Sequence, residues 1–302
     1  MKSKQLSFQE NQSFDSSAIN FKPSLILCFG HRQLMEASKV FQEIRQAFPQ
    51  AILAGCSTSG EILASGVTEA SIVCNFLSFE RTEVVYREAD LSEGSVSAEV
   101  GAQLIESVPK KGLRHIFIIS DGLNINGSQL VEGMREHLPE GVGLTGGLAG
   151  DGPDFTKTVL VDNDGKVDAQ KVIALGFYGD SLKVGSGSRG GWNLFGIERL
   201  VTKAKDNVLF ELDNQPALAL YKSFLGPQAD QLPASGLLFP LSMRTTEKEP
   251  PLVRTILGVN EEQQSLTFAG DIPEGSYIRL MKANVDRLID GAEEAAEVAF
   301  QE

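Results

Sequence analysis

The sequence predicts an α/β protein, α+β overall: an internally duplicated β-α-β N-terminal domain followed by a partial C-terminal α+β domain. Three observations carry this. Between residues 23 and 192, short apolar runs of strand length alternate with stretches of helical periodicity. That alternation is written twice at a near-constant spacing. Beyond residue 196 the order changes to strand-like runs, one short helix, a hairpin-like pair and a final amphipathic helix.

Residues 1–22 read as a polar tail, and the first domain starts at Pro23 and ends near Gly196. Ser24 to Gly30 (SLILCFG) is a short apolar run after a proline, a buried strand. From Gln33 to Phe48, the residues Leu34, Ala37, Val40, Phe41, Ile44 and Phe48 recur at helical spacing, and Pro49 ends the helix. Ala51 to Ala54 opens the next strand, which delivers AGCSTSGEI at its carboxyl end. A further strand is expected over Ser71 to Phe79.

The second copy follows. His115 to Ser120 (HIFIIS) is a strand, and Leu130, Val131, Met134, Arg135, Leu138 and Pro139 match Val40, Phe41, Ile44, Arg45, Phe48 and Pro49 at an offset of 90. After one extra residue, Gly143 to Asp151 falls where Leu53 to Glu61 fell, and Val172 to Tyr178 supplies the added strand. The repeats cover about 23–91 and 113–192. Ligands of α/β sheets bind beyond the carboxyl ends of strands, so the two loops GCSTSGE and GGLAGDG are expected to rim one pseudo-symmetric cleft.

The region 197–302 begins after a glycine-rich run, Gly185 to Gly191, that leads into Trp192, the only tryptophan. So many glycines predict a bend or a close approach of backbone to a ligand or another strand. A strand over Arg199 to Lys203 comes next, then a helix over Ala217 to Leu225 opened by Pro216 and closed by Gly226-Pro227. PASGLLFP (233–240) reads as loop. Val253 to Val259 and Ser265 to Ala269 flank NEEQQ as a hairpin, a strand follows at Tyr277 to Met281, and a helix starts near Asn284.

The bulk numbers exclude several partners. With a net charge of -13 over 302 residues, the chain offers no basic face for nucleic acid or for an anionic membrane surface. No run approaches the roughly 20 apolar residues of a membrane span, and the opening 20 residues lack the apolar core of a signal peptide. Cys28, Cys56 and Cys74 fit no zinc spacing, and so sparse and odd a set favours a reducing compartment over a disulfide framework. A cytoplasmic protein is expected.

The ordered set AGCSTSGEI, GLTGGLAGDG, GSGSRGGW, NVLFELDNQPAL, LPASGLLFPL and FAGDIPEGS resembles the FIST sensory proteins from about Pro23 onward. The resemblance implies a FIST N region to about Gly196 and a FIST C region after it, which looks truncated because the family's C region normally continues past such a helix. It implies a bacterial signal-input protein that binds a small ligand, an amino acid for instance, and signals to a partner such as a histidine kinase or a cyclic-dinucleotide enzyme. Some members resembling these bind haem and report nitric oxide to a histidine kinase, which is the alternative reading.

The residues refine these implications. In the first loop, Gly55, Cys56, Ser57, Thr58 and Ser59 combine small side chains, hydroxyls and free amides that suit a carboxylate, while Glu61 or Asp151 suits an ammonium. Gly146 and Gly147 occupy the second loop, and Asp121 ends the strand of the second repeat where His31 ends that of the first. Asp121 is placed for a ligand amine or for an ordinary turn. Trp192 is placed to stack on a ligand or to anchor a core. No cofactor is expected in the main reading; a haem would need His31 as its axial ligand and would be non-covalent, since no CxxCH is present. An enzyme is not expected. Its best candidate would be a Cys56 nucleophile, and that thiol has no histidine near it in sequence.

Overall fold

The computed structural model describes residues 1–92, 94–246 and 251–301 and has an α+β fold. It divides into two compact units: unit 1 holds Met1–Ile125 and Leu130–Lys183, and unit 2 holds Asn126–Gln129 and Val184–Glu302.

In chain order, unit 1 is built from β1 (Lys2–Phe8), β2 (Leu25–Gly30), α1 (Arg32–Ala37), α2 (Val40–Ala47), β3 (Ile52–Ser57), β4 (Glu61–Leu63), β5 (Gly66–Thr68), β6 (Ile72–Ser78), β7 (Glu83–Asp90), α3 (Ser97–Ser107), β8 (Leu113–Ser120), most of α4 (Gly127–Glu136), β9 (Gly143–Leu148), β10 (Leu160–Val161), β11 (Val167–Asp168) and β12 (Lys171–Tyr178). A six-stranded sheet runs β1-β6-β2-β3-β10-β11, and a four-stranded sheet runs β7-β12-β8-β9. Each contains the same three-strand core. In the first, β2 is parallel to β3 and antiparallel to β6; in the second, β8 is parallel to β9 and antiparallel to β12.

Both faces of each sheet are covered, so the central strands read as nearly unbroken apolar runs. Ile26, Cys28, Leu53 and Phe76 of the first sheet pack under Met35, Val40, Phe41 and Ile44 of α1 and α2. Ile116, Ile118, Val172 and Ala174 of the second pack under Val100, Leu104 and Ile105 of α3 and Leu130 and Met134 of α4. The opposite faces meet each other: Leu25, Ala54 and Cys56 join Ile119, Ile173, Leu175 and Phe177 in one buried layer. Unit 1 is thus a sandwich of helices, sheet, sheet and helices. In α3 and α4 the glycines Gly101 and Gly133 let the two helices touch, since a Cβ at either would collide with the Leu130 or Ala98 carbonyl.

Two local expectations need correction. The helix expected over Gln33 to Phe48 is two helices. Ser38 turns extended (ψ 144°) and its Oγ accepts the Val40 N–H at 3.1 Å, ending α1 and opening α2. Residues 1–22, expected as a polar tail, supply β1. That strand pairs in register with β6 from Lys2↔Ser78 to Phe8↔Ile72, satisfying the backbone edge that β6 would otherwise expose.

Unit 2 is organised on an eight-stranded sheet containing β13 (Trp192–Lys205), β14 (Val208–Leu212), β15 (Gln215–Pro216), β16 (Leu241–Arg244), β17 (Leu252–Arg254), β18 (Ile256–Asn260), β19 (Ser265–Phe268) and β20 (Tyr277–Ala283). α5 (Ala217–Leu225) caps its core through Ala217, Leu218, Tyr221 and Leu225. As expected, Pro216 precedes α5 and Gly226 ends it at φ 57°. β18 and β19 form the expected hairpin, but Val253 and Arg254, expected in its first strand, belong to β17 and pair with β16. PASGLLFP, expected as loop, includes a short 3-10 turn at Ala234–Leu238. The glycine-rich run lies against α6 (Val285–Gln301): a Cβ at Gly185, Gly187 or Gly191 would collide with backbone atoms of Ala299, Ala295 or Leu288. The expected close approach is therefore to a helix rather than to a strand. Glu247 to Pro250 lie outside the described residues.

His115 on β8 gives a pH test of the sandwich. It is buried, its Nε2 lies 2.7 Å from Thr145 Oγ1, and burial depresses its pKa. The unfolded chain then takes a proton near 6.5 that the folded His115 refuses until lower pH, so stability is full above about 6.5 and falls as the solution is acidified from there. Urea unfolding between pH 7.5 and 5 should show that loss, and His115→Gln should have a visibly shallower slope; an unchanged slope would remove His115 as its source.

Candidate functional site

The two glycine-bearing segments reach the same place. β3 carries Gly55, Cys56 and Ser57 as strand residues, and the turn starts only at Thr58. Likewise Gly146 and Gly147 lie in β9, and the loop starts at Ala149. This corrects the expectation that all of these residues belong to loops. β10 holds β3 extended through Leu160↔Cys56 and Val161↔Gly55, and Ser57 N–H donates to Val159 O at 2.8 Å. The glycines serve strand packing: Gly55 sits against the Cys28 carbonyl and Gly146 against the Ile118 carbonyl, with no room for a Cβ at either. Gly146 also has φ +153°.

Beyond the strands the loops bond to each other. Gly150 N–H donates to Ser57 O at 2.8 Å and Gly152 N–H to Ser59 Oγ at 3.2 Å. The two strand ends use equivalent bonds. Thr58 N–H donates to Gly30 O at 3.0 Å where Ala149 N–H donates to Ser120 O at 2.8 Å. His31 N–H donates to Ser71 O at 2.9 Å where Asp121 N–H donates to Lys171 O at 2.9 Å.

Each acidic residue at the site has internal donors. Glu61 is buried; its Oε1 accepts from Thr58 Oγ1 at 2.9 Å and its Oε2 from Ser71 N and Oγ at 3.2 and 3.1 Å. Asp121 is fully buried, and its carboxylate accepts the N–H groups of Leu123, Asn124 and Gln170 at 2.8, 2.7 and 3.2 Å. Those are the bonds of a turn aspartate. Asp151 Oδ2 accepts from Thr156 N and Oγ1 at 2.9 and 3.0 Å and from Lys157 N at 2.9 Å, while its Oδ1 takes Arg32 Nε. Burial pushes the Asp151 pKa up, but the Lys157, Arg32 and Thr156 donors outweigh it and the net shift is downward.

Arg32 was not singled out from sequence. It follows His31 in the first turn of α1 and reaches across to the second loop. Besides Asp151 it pairs with Glu36 at 3.3 Å and Asp154 at 3.5 Å. The only signal available beforehand was its i,i+4 spacing to Glu36.

Cys56 is 6% exposed, and burial pushes its thiol up to about 12. Burial of that kind suppresses the thiolate that nucleophilic or ligating chemistry needs. His31 is half-buried, and its Nδ1 is buried with no hydrogen-bond partner. Trp192 belongs to unit 2, where it opens β13 opposite Ala283 and its Nε1 is buried without a partner. Among the described residues no group of three His, Cys, Asp or Glu side chains is placed to hold a metal ion, and no helix is long and apolar enough to cross a membrane. Unit 1 also has an open pocket of about 260 Å³ lined by residues 9–13, by Leu34, Ala37, Ser38, Lys39 and Glu43 along α1 and α2, and by Ile72.

Two measurements probe this site. Asp151→Asn should lower the unfolding free energy by about 2 kcal/mol at pH 7, because its donors lose a charged acceptor. Asp151 has a depressed pKa, so its contribution is present above about 4 and is lost as pH falls through the folded value. The gap between parent and variant in urea should therefore close at low pH; a constant gap would show that the charge is not what the donors hold. Separately, iodoacetamide should label Cys56 in the folded protein at pH 7.5 at least 100-fold more slowly than in urea, and rapid stoichiometric labelling would contradict the buried thiol.

An uncharacterised protein of Methanocaldococcus jannaschii, MJ1623, is 25% identical over 272 residues, which is 83% of this chain and 52% of that protein. The chain thus spans about half the length of that curated relative. The FIST N domain family matches residues 24–215 and the FIST C domain family matches residues 217–302. Where a partial C region was expected, the C domain is present across most of the C-terminal region. FIST domains are signal-transduction sensor domains for small ligands, and this chain belongs to the FIST family.

Proposed function

We propose that the chain is a sensory input module that binds a small zwitterion, an amino acid, where the two loops of unit 1 meet. The observation that carries the reading is the Arg32–Asp151 pair, which joins the start of α1 to the loop after β9. A guanidinium and a carboxylate held together are complementary, one to the carboxylate and the other to the ammonium of an α-amino acid. A ligand entering between them exchanges one ion pair for two, and charge-assisted bonds are the stronger kind. The Ser59 hydroxyl and the Gly150 and Gly152 amides lie on the same loops.

Insertion there would separate α1 from the 149–157 segment, and that displacement is the signal: a ligand shifts an equilibrium only through contacts that differ between its states. The expected duplication is part of the proposal and is supported by the shared strand order of the two sheets. The reading continues to a cytoplasmic, bacterial setting and to an output on another protein, such as a histidine kinase or a cyclic-dinucleotide enzyme. It treats the chain as non-enzymatic, because Cys56, the strongest nucleophile candidate, has burial raising its pKa.

The haem reading draws on the unpartnered Nδ1 of His31. The surroundings support it less. The neighbouring pocket of about 260 Å³ is lined by glutamine, glutamate, asparagine, serine and lysine side chains and does not include His31. That volume lies below the roughly 300–1,000 Å³ typical of drug-sized ligands.

A thermal-shift scan against the common amino acids and haemin tests both. An amino acid at 100 times its dissociation constant should stabilise by about 2.7 kcal/mol, a rise of several degrees. Arg32→Gln and Asp151→Asn should each abolish the shift. A shift retained in both variants would move the site elsewhere. A one-to-one haemin complex lost in His31→Ala, with no amino acid response, would replace this reading with gas sensing.

A further inference from the structure

We propose that Cys28 and Cys74 are a redox pair that closes to a cross-strand disulfide joining β2 to β6, with Cys56 left as the single free thiol. The two residues are directly opposed in the antiparallel ladder, Cys28↔Cys74, between Ile26↔Phe76 and Gly30↔Ile72. Directly opposed antiparallel residues hold their Cα atoms about 4.5–5.5 Å apart, inside the 4.4–6.8 Å range that a disulfide spans. Their sulfurs face each other at 2.8 Å, and both residues are fully buried. Only a short approach of the two sulfurs separates this arrangement from a bond.

The third cysteine is excluded by the pleat. Cys28 and Cys74 point to the face covered by α1 and α2, together with Met35 and Val40. Cys56 points to the opposite face, into the layer between the two sheets. Opposite Cys28 on β3 stands Gly55. The sheet itself therefore fixes which of the three possible pairings forms.

The chemistry balances with a low-molecular-weight disulfide such as glutathione disulfide. The thiolate of one cysteine attacks a sulfur of that disulfide, forming a mixed disulfide and releasing one glutathione thiolate. The second cysteine then attacks the protein sulfur of the mixed disulfide and releases the second glutathione. Two protein thiols are oxidised to one disulfide, glutathione disulfide is reduced to two thiolates, and these take up the two protons that the protein thiols give up. Burial, with Cys74 beside it, pushes the Cys28 thiol well above its ordinary value, so exchange in the folded chain is slow and refolding is the faster route.

The bond would lie two residues before Gly30, close to the bond from His31 N–H to Ser71 O, and Ser71 in turn holds Glu61. Oxidation would lock the two strands from which the candidate site is hung. This inference stands whether or not the ligand reading does.

The test is to reduce and unfold the whole chain, refold it across a series of glutathione to glutathione disulfide ratios, and trap it with N-ethylmaleimide in guanidinium. At oxidising ratios we expect one maleimide adduct, on Cys56, a mass lower by two hydrogens, and a Cys28–Cys74 linked peptide. The unfolding midpoint should rise by roughly 5–10 °C and fall back with dithiothreitol. Cys56→Ser should retain the linked peptide, whereas Cys74→Ser should leave two labelled thiols at every ratio. Three adducts at all ratios, or a disulfide containing Cys56, would overturn the proposal.

Discussion

The structure of unit 1 depends on burying both faces of two sheets at once. Each central strand must be apolar toward a helix layer and apolar again toward the other sheet, so β2, β3, β8 and β12 have little room for polar side chains before their ends. Polarity is pushed to the carboxyl termini of these strands, and there it becomes dense: Ser57, Thr58, Glu61, Ser120, Asp121 and Asp151 all fall within a few residues of a strand end. Apart from the Ser120 hydroxyl, which is buried without a partner, these side chains are paired, since each orphan costs about 1–3 kcal/mol. The turns at these strand ends and the bonds between the two loops answer most of that constraint.

The same constraint explains what was legible in the sequence. The strands over 24–30, 115–120 and 172–178 were readable because a doubly covered strand is a short uniform apolar run. The meeting of the two loops was readable from the same grammar, since they follow those strands. The break at Ser38 was not, because a helix with a one-residue extended kink keeps its apolar spacing on both sides. β1 was hidden for a different reason: in KSKQLSF only Leu6 and Phe8 are apolar, and so polar an edge strand resembles any polar tail.

The roles of individual side chains were harder to read than their positions. Asp121 looks the same in sequence whether its carboxylate binds a ligand or closes a turn; only the backbone conformation, which sets three N–H groups around it, separates the two. Gly55 and Gly146 read as residues of ligand-binding loops, but each marks a close approach between strands. Arg32 left almost no trace, because the partner that matters lies 119 positions away.

The chain also trades edges between its halves. After leaving the first sheet at β6 it lays β7 on the border of the second, and after β9 it returns to lay β10 and β11 on the border of the first. Neither sheet is complete until both halves of unit 1 exist. A ribosome that has emitted the chain through β6 has yet to supply that sheet's border until residue 168 emerges. At about 5–20 residues per second the wait between β6 and β11 is on the order of 5–20 s. Through that interval the flank of β3 is an open hydrogen-bonding edge, a template that the finished chain never presents.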